Sequence, residues 1–212
     1  SKINSPTRNI ITVEDPVEYQ IRGINQIHVK PQIGLDFASG LRSIVRQDPD
    51  VIMVGEIRDA QTADVAIQAA LTGHLVFSTV HTNDAAGAIT RLLDMGVENY
   101  LISSALLGVL AQRLVRVICR TCIEPIEVAP ALLAEIDNPG QGSIKTFHGK
   151  GCMECNHTGF RGRAGIYELL VVDDSVRKLI LTKATSQTIR ESARKKGMTT
   201  LREDGWQKVA KG

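Results

Sequence analysis

Short apolar segments that end abruptly in polar residues constrain the fold of this chain more than any other feature. The clearest is Val51–Val54, which stops at Gly55 and is followed at once by Glu56. An apolar run of this length, bounded by turn residues, is typical of a strand that is buried on both faces of a parallel sheet. A carboxylate directly after such a strand lies where open parallel sheets bind their ligands.

The residues around this strand predict further strands with a helix between them. Residues 10–13 form another apolar run, and residues 74–80 form a third, whose apolar character suits a central strand. Between the last two strands, residues 62–72 are rich in Ala and predict a helix with Gly73 as its left-handed cap. Strand, helix and strand with short connections indicate an α/β fold with a parallel sheet. The other elements predicted here are an edge strand at 23–29 and helices at 35–47, 85–95 and 98–116.

Polar side chains follow each of the three strands. Glu14 and Glu18 come after the first, Glu56 after the second and His81 after the third. Because the carboxyl ends of parallel strands share one edge, three such clusters favour a common site over solvated loop residues. One or two carboxylates together with nucleotide phosphates are the usual ligands of Mg²⁺. A loop of the form G-x-x-x-x-G-K-[ST] does not occur in the sequence, so we predict a magnesium-assisted nucleotide site whose phosphate-binding loop this chain does not supply.

The four cysteines form two C-x2-C pairs, Cys119 with Cys122 and Cys152 with Cys155. Two such pairs can place four thiolates around Zn²⁺, whereas two disulfides would require an oxidising compartment. We therefore predict a structural zinc site. Buried thiols without a metal, or a redox pair, stay open as alternatives.

Composition and charge limit the remaining function classes. Lys and Arg total 25 against 23 acidic residues, and the resulting net charge of +2 offers no electrostatic basis for binding nucleic acid. A basic turn with Arg161 and Arg163 keeps a DNA-translocating ATPase as a minor alternative. No segment approaches the roughly 18 apolar residues of a membrane span.

A change of composition at Cys119 predicts the domain limits. Residues 1–116 are the predicted α/β core, residues 117–160 a zinc-binding subdomain, and residues 161–212 a mostly helical C-terminal subdomain. Smaller elements predicted beyond the core are a helical turn at 131–137, a strand at 166–172, and helices at 175–182, 186–195 and 201–210.

Several motifs together resemble one family. ITVEDPVEYQ resembles the acidic box, QDPDVIMVGEIRD the Walker B motif, and TGHLVFSTVHTNDA the histidine box of the ATPases that drive type II secretion and type IV pilus assembly. The paired cysteines with GCMECNHTGFRGRAGIYE resemble the tetracysteine module of the secretion and pilus-extension members. The resemblance runs from about Lys2 to Gly212 and implies a RecA-like α/β fold. In this family a Walker A loop lies just upstream of the acidic box, so the resemblance implies a C-terminal part that lacks that loop.

The resemblance also assigns roles to individual residues. It implies catalytic roles for the acidic-box, Walker B and histidine-box positions, which are Glu14, Glu18, Glu56, His74 and His81. It implies that Cys119, Cys122, Cys152 and Cys155 bind a structural zinc ion. Weaker candidates are three arginines that would contact Mg-ATP or a neighbouring subunit: Arg22, Arg58 and Arg91. The alternative for these arginines is a surface position paired with nearby acids.

The function that the resemblance implies belongs to a longer parent protein. That parent would be a cytoplasmic homo-hexamer, bound at the inner membrane through a platform protein, which hydrolyses ATP with Mg²⁺ and does not bind nucleic acid. We expect this chain alone to hydrolyse ATP negligibly, because it has no Walker A loop. A non-catalytic, zinc-stabilised binding module is the alternative function from another class.

Overall fold

Four short segments pair into one parallel sheet in the computed structural model, which describes residues 2–126 and 146–211. The strands are β1 (Ile10–Glu14), β2 (Asn25–His28), β3 (Val51–Val54) and β4 (Leu75–Ser78). Their order is β2-β1-β3-β4, and each neighbouring pair is parallel. Val13 lies opposite Val54, which in turn lies opposite Ser78, so three strands end at the same level. The predicted RecA-like α/β class, with a parallel sheet and an edge strand β2, is confirmed.

Six helices accompany this sheet in the described residues, and the first three of them begin at aspartate caps. They are α1 (Phe37–Ile44), α2 (Ala60–Leu71), α3 (Ala85–Asp94), α4 (Asn99–Ala105), α5 (Asp174–Leu181) and α6 (Ser186–Lys195). The side chains of Asp36, Asp59 and Asp84 each accept a backbone N–H in the first turn of α1, α2 and α3, which satisfies donors that a helix start leaves free. The core between sheet and helices includes Leu41 and Ile52, both fully buried.

A second set of elements follows the sheet in sequence. It contains β5 (Gly108–Ile118), β6 (Ile123–Ile126), β7 (Thr146–Gly149), β8 (Phe160–Val171) and α7 (Leu201–Lys211). Strands β6 and β7 pair antiparallel, and β5 pairs with β8. Helix α7 is joined to β8 by two hydrogen bonds, from Tyr167 N to Asp204 Oδ2 and from Leu201 N to Glu168 Oε2. No helix in the described residues is long and apolar enough to cross a membrane.

The chain divides into two compact units whose limits differ from the three predicted ranges. One unit is Ser1–Val109 with Leu170–Lys196, and the other is Leu110–Leu169 with Gly197–Gly212. Helices α5 and α6 belong to the sheet unit because they pack there: Arg177 donates to the carbonyl oxygen of Ser103 at the end of α4. The three ranges remain a prediction of functional subdomains.

Three predicted elements need correction. The helix predicted at 98–116 is wrong beyond Ala105, because β-branched residues such as Val115 and Val117 favour the extended strand β5 that pairs with β8. The run at 74–80, predicted as a central strand, forms β4 at the edge of the described sheet, where Phe77 is 46% exposed. The strand predicted at 166–172 begins earlier, at Phe160. The predicted turn at 131–137 lies outside the described residues.

Candidate functional site

Glu14 and Glu56 lie at neighbouring strand ends on the carboxyl edge of the sheet. Glu14 is the last residue of β1, and Glu56 is the second residue after β3. The backbone N–H of Gly55 donates to the carbonyl oxygen of Val13 at 2.8 Å, which continues the ladder to this edge. A Cβ atom at Gly55 would lie 3.3 Å from that oxygen and 3.4 Å from the Cα atom of Glu14, so glycine permits the close approach of the two strand ends.

The carboxylate of Glu56 is held by two basic side chains. Its Oε2 atom lies 2.5 Å from Nε of Arg58 and 3.3 Å from Nε2 of His81, and the Glu56 side chain is only 12% exposed. Thr79 fixes the end of β4 beside it, since its hydroxyl donates to the carbonyl oxygen of Gly55 at 2.8 Å. The structure therefore brings the polar residues after the second and third strands together.

The carboxylate of Glu14 accepts hydrogen bonds from one side chain of β1 and from one side chain of β2, the strand that pairs with β1 on the side away from β3. Its Oε1 atom accepts hydrogen bonds from the hydroxyl of Thr12 at 2.5 Å and from Nε2 of Gln26 at 3.0 Å. Sequence reasoning missed Gln26. Its only signal is its place opposite Thr12 in the β1–β2 register, and that register is known only once the strands are paired.

Each of these two carboxylates keeps one oxygen open. Within the described residues, neither Oε2 of Glu14 nor Oε1 of Glu56 receives a hydrogen bond from the protein. Carboxylate oxygens are the ligands that Mg²⁺ prefers, and they also accept hydrogen bonds from metal-bound or attacking water. The donor set at this edge therefore fits the predicted use of Mg²⁺ with a nucleotide.

His74 lies at the opposite edge of the sheet from these carboxylates. It precedes β4, whose first residue Leu75 pairs with Val51 at the start of β3. Four strand residues at about 3.3 Å each separate the two edges by roughly 13 Å. The ring of His74 contacts the end of α2 instead, with Nδ1 2.8 Å from the carbonyl oxygen of Ala69. The structure brings His81, but not His74, to Glu56.

The remaining predicted residues are exposed. Glu18 and Arg22 lie in the connection between β1 and β2, and Arg91 lies in the last turn of α3. Arg58 forms an ion pair with Glu56, which agrees with the alternative that these arginines are surface residues paired with nearby acids. Arg22 and Arg91 have no carboxylate within ion-pair distance in the part of the chain that the structure describes. Their side chains are therefore accessible.

The four cysteines converge on one point. Their sulfur atoms all lie within 4.8 Å of one another and can hold a metal ion. The distances from Cys119 to Cys152 and from Cys122 to Cys155 are both 3.9 Å, and that from Cys152 to Cys155 is 3.8 Å. Zinc–thiolate bonds of about 2.3 Å in a tetrahedron place the sulfur atoms about 3.8 Å apart, whereas a disulfide needs about 2.05 Å. The cluster fits zinc and does not fit disulfides.

Backbone N–H groups prepare this cluster for a cation. The N–H groups of Cys152 and Gly159 donate to Sγ of Cys155 at 3.2 and 3.3 Å, and these bonds, that from Cys152 first, lower the pKa of Cys155 to about 6. Burial raises the pKa of Cys122 to about 12, which disfavours the thiolate that a metal requires. A bound cation would offset this effect by stabilising the thiolate. Gly159 must be glycine here, because a Cβ atom on it would lie 2.3 Å from the carbonyl oxygen of Gly149.

Comparison with known proteins places these features in one family. A family model described as Type II/IV secretion system protein matches residues 1–212. The Type II secretion system ATPase E of Vibrio cholerae serotype O1 is 53% identical over 211 residues, which cover 100% of this chain and 42% of the relative. The Type IV pilus assembly ATPase PilB of Thermus thermophilus is 54% identical over 214 residues, which cover 100% of this chain and 24% of the relative.

A solved structure agrees with the fold. A crystal structure of the pilus retraction motor PilT with bound ADP is 30% identical in sequence to this chain and superimposes with a TM-score of 0.60. The match covers 96% of this chain and 53% of that one. The chain thus spans less than half of the length of both curated relatives.

Proposed function

The chain belongs to the Type II/IV secretion system protein family, and we propose that it is part of an ATPase that powers type II protein secretion or type IV pilus assembly. The observation that carries this proposal is the carboxyl edge of the sheet. There Glu14 and Glu56 each present one open carboxylate oxygen, in a chain that is 53% identical to a type II secretion ATPase. A parallel sheet that ends in paired carboxylates is suited to nucleotide hydrolysis.

The residues at this edge have distinct parts in the proposed reaction. Mg²⁺ bound with ATP would neutralise charge on the phosphates. Glu56 would hold that ion or orient the attacking water, while Arg58 and His81 contact its carboxylate through Oε2. Glu14 supplies the second acceptor. Glu18 and His74 keep their predicted catalytic roles on the strength of the family motifs, and both lie away from the contacts described here.

Hydrolysis also requires a phosphate-binding loop. The sequence contains no G-x-x-x-x-G-K-[ST] motif, so this segment has to come from another part of the whole protein. We accordingly propose that residues 1–212 alone do not hydrolyse ATP at a measurable rate. A second candidate function, a zinc-stabilised binding module without activity, is favoured by the same missing loop and by the cysteine cluster.

The assembly of the whole protein is part of the proposal. We propose that it is a cytoplasmic homo-hexamer that docks at the inner membrane through a platform protein, as the resemblance of its motifs implies. The exposed, unpaired side chains of Arg22 and Arg91 are available to phosphate or to a neighbouring subunit. The zinc ion has a structural role in the range 117–160.

ATP hydrolysis by the full-length gene product tests this proposal. Glu56→Gln removes the charge but keeps the size of the side chain, and we expect it to lower kcat roughly 100-fold or more. Asp64→Asn is the matched control, because Asp64 is an exposed acid on α2, and its kcat should stay unchanged. A full-length protein without activity, or one that Glu56→Gln leaves unaffected, would favour the binding module.

A further inference from the structure

We infer that Gln26 is a positioning residue of the hydrolytic site, which aims the carboxylate of Glu14 and holds the connection between β1 and β2. This inference rests on the proposed function. Gln26 lies in the edge strand β2 and belongs to none of the sequence motifs from which the site was predicted. Its side chain is half-buried, and it contacts both Glu14 and the backbone of that connection.

Both ends of the Gln26 amide are used. Its Nε2 group donates to Oε1 of Glu14 and to the carbonyl oxygen of Tyr19, each at 3.0 Å. Its Oε1 atom accepts the backbone N–H of Ile21 at 2.7 Å. An amide has donors on one side and an acceptor on the other, so only Asn or Gln can make this set of bonds, and Gln has the reach. The three bonds fix the orientation of the amide.

The strand register explains why this amide reaches Glu14. Gln26 lies opposite Thr12 in the parallel pair β1–β2, and Thr12 and Glu14 are two residues apart, on the same face of the sheet. The Thr12 hydroxyl donates to the same oxygen of Glu14 that Gln26 contacts. Two donors on Oε1 set the carboxylate plane, and Oε2 is left to point away from both. Glu14 is therefore presented to the site in one orientation.

Gln26 also holds the connection at residues 15–24, which carries Glu18 and Arg22. Two of its large apolar side chains face solvent, since Tyr19 is 80% and Ile21 is 42% exposed. Side-chain hydrogen bonds to the backbone help to fix the connection. Nδ2 of Asn4 donates to the carbonyl oxygen of Arg22 at 2.9 Å, and Gln26 makes two further bonds of this kind. One side chain thus couples Glu14 to two further candidate site residues.

Two substitutions distinguish the effect of losing these hydrogen bonds from the effect of changing the side-chain volume. Gln26→Leu removes all three hydrogen bonds. Gln26→Glu keeps the size of the side chain and an oxygen that can accept the N–H of Ile21. It replaces the amide group that donates to Glu14 and Tyr19 by a negatively charged oxygen beside the Glu14 carboxylate. Asn25→Leu is the matched control, because Asn25 is the adjacent amide in β2 and its contact at 3.4 Å is to Asn9, away from Glu14.

Steady-state kinetics and hydrogen exchange on the full-length gene product test the inference. For Gln26→Leu and Gln26→Glu we expect kcat to fall roughly 10- to 100-fold, the loss typical of removing a partner that orients a catalytic ligand, with KM for Mg-ATP within about threefold of wild type. Exchange at residues 15–24 should rise at least about tenfold in Gln26→Leu.

The outcomes distinguish this inference from the proposed function. A kcat within about twofold of wild type in both Gln26 variants, while Glu14→Gln and Glu56→Gln abolish hydrolysis, overturns the inference and leaves the function standing. Hydrolysis that survives Glu14→Gln and Glu56→Gln overturns the proposed function and, with it, the role of Gln26. An equal loss of kcat in Asn25→Leu also overturns the inference, because the effect then belongs to β2 as a whole.

Discussion

Loss of the metal from the cysteine cluster should unfold the second unit and spare the sheet. In the described residues of that unit, the buried apolar side chains are those of Cys119 and Cys155. The sheet unit, by contrast, buries Leu41, Ile52 and Ile89 completely. Structural zinc contributes about 10–16 kcal/mol of apparent binding free energy in zinc-finger peptides, far more than so small an apolar core supplies. We therefore expect a metal held by the four cysteines to be the main source of stability around the cluster.

Cys119→Ser tests this argument. We expect the wild-type chain to carry one zinc ion by elemental mass spectrometry and the variant to carry none. Hydrogen exchange should then lose its protection across residues 117–126 and 146–160, while β1 and β3 stay protected. The loss should be roughly 1,000-fold or more, even if only about 4 kcal/mol of the metal's contribution is removed. Met153→Ala is the control, since Met153 lies in the turn between Cys152 and Cys155 and is 81% exposed. Undiminished protection in Cys119→Ser, or a wild-type chain without metal, would refute the reasoning.

Two further predictions concern ion pairs made by residues of α5 and α6 or next to them, within the sheet unit. Asp84 caps α3 and forms an ion pair with Arg190 of α6, so Asp84→Ala should lower the free energy of unfolding in urea by about 1–2 kcal/mol. The Lys196 ammonium beside Asp173 holds the pKa of that carboxyl well below its usual range. Because the pKa of Asp173 is lower in the folded chain, its contribution is present above about pH 4 and is lost as the pH falls below that value. Lys196→Met should flatten this part of the stability profile measured by acid titration.

Local signals located the strands of the sheet but not the elements that depend on distant partners. The prediction for the strand Val51–Val54 has the observed limits. An apolar run between a Pro-containing turn and a glycine can be recognised from neighbouring residues alone. The segment after Ala105 was predicted as a continuing helix, and its Leu and Ala content allows one. It forms β5 because its partner β8 lies about 50 residues further along the chain. A pairing at that distance overrides local propensity, and a single sequence does not display it.

The candidate site divides in the same way. Glu14, Glu56 and His81 could be predicted together, because each lies at the end of a strand or shortly after it, and parallel strands end at one edge. Gln26 could not, because its contacts require the register of β1 against β2. Gln26, the side chain that orients the Glu14 carboxylate, thus lies in none of the sequence motifs.

For His74, the sequence motif and the topology of the sheet give different information about its position. The motif groups it with His81, yet a residue before a parallel strand and a residue after it lie on opposite edges, whatever their spacing in sequence. The carbonyl oxygen of Ala69 can only accept a hydrogen bond, so Nδ1 of His74, 2.8 Å away, carries the hydrogen in this contact. The Thr72 hydroxyl lies 3.1 Å from the same nitrogen. The same carbonyl oxygen also accepts the backbone N–H of His74 at 3.2 Å and the Thr72 hydroxyl at 2.9 Å, so the His74 ring adds to an existing cap at the end of α2, in the turn from which β4 starts. In the described residues His74 thus contacts the end of α2 at the start of β4, whereas Nε2 of His81 lies 3.3 Å from the Glu56 carboxylate.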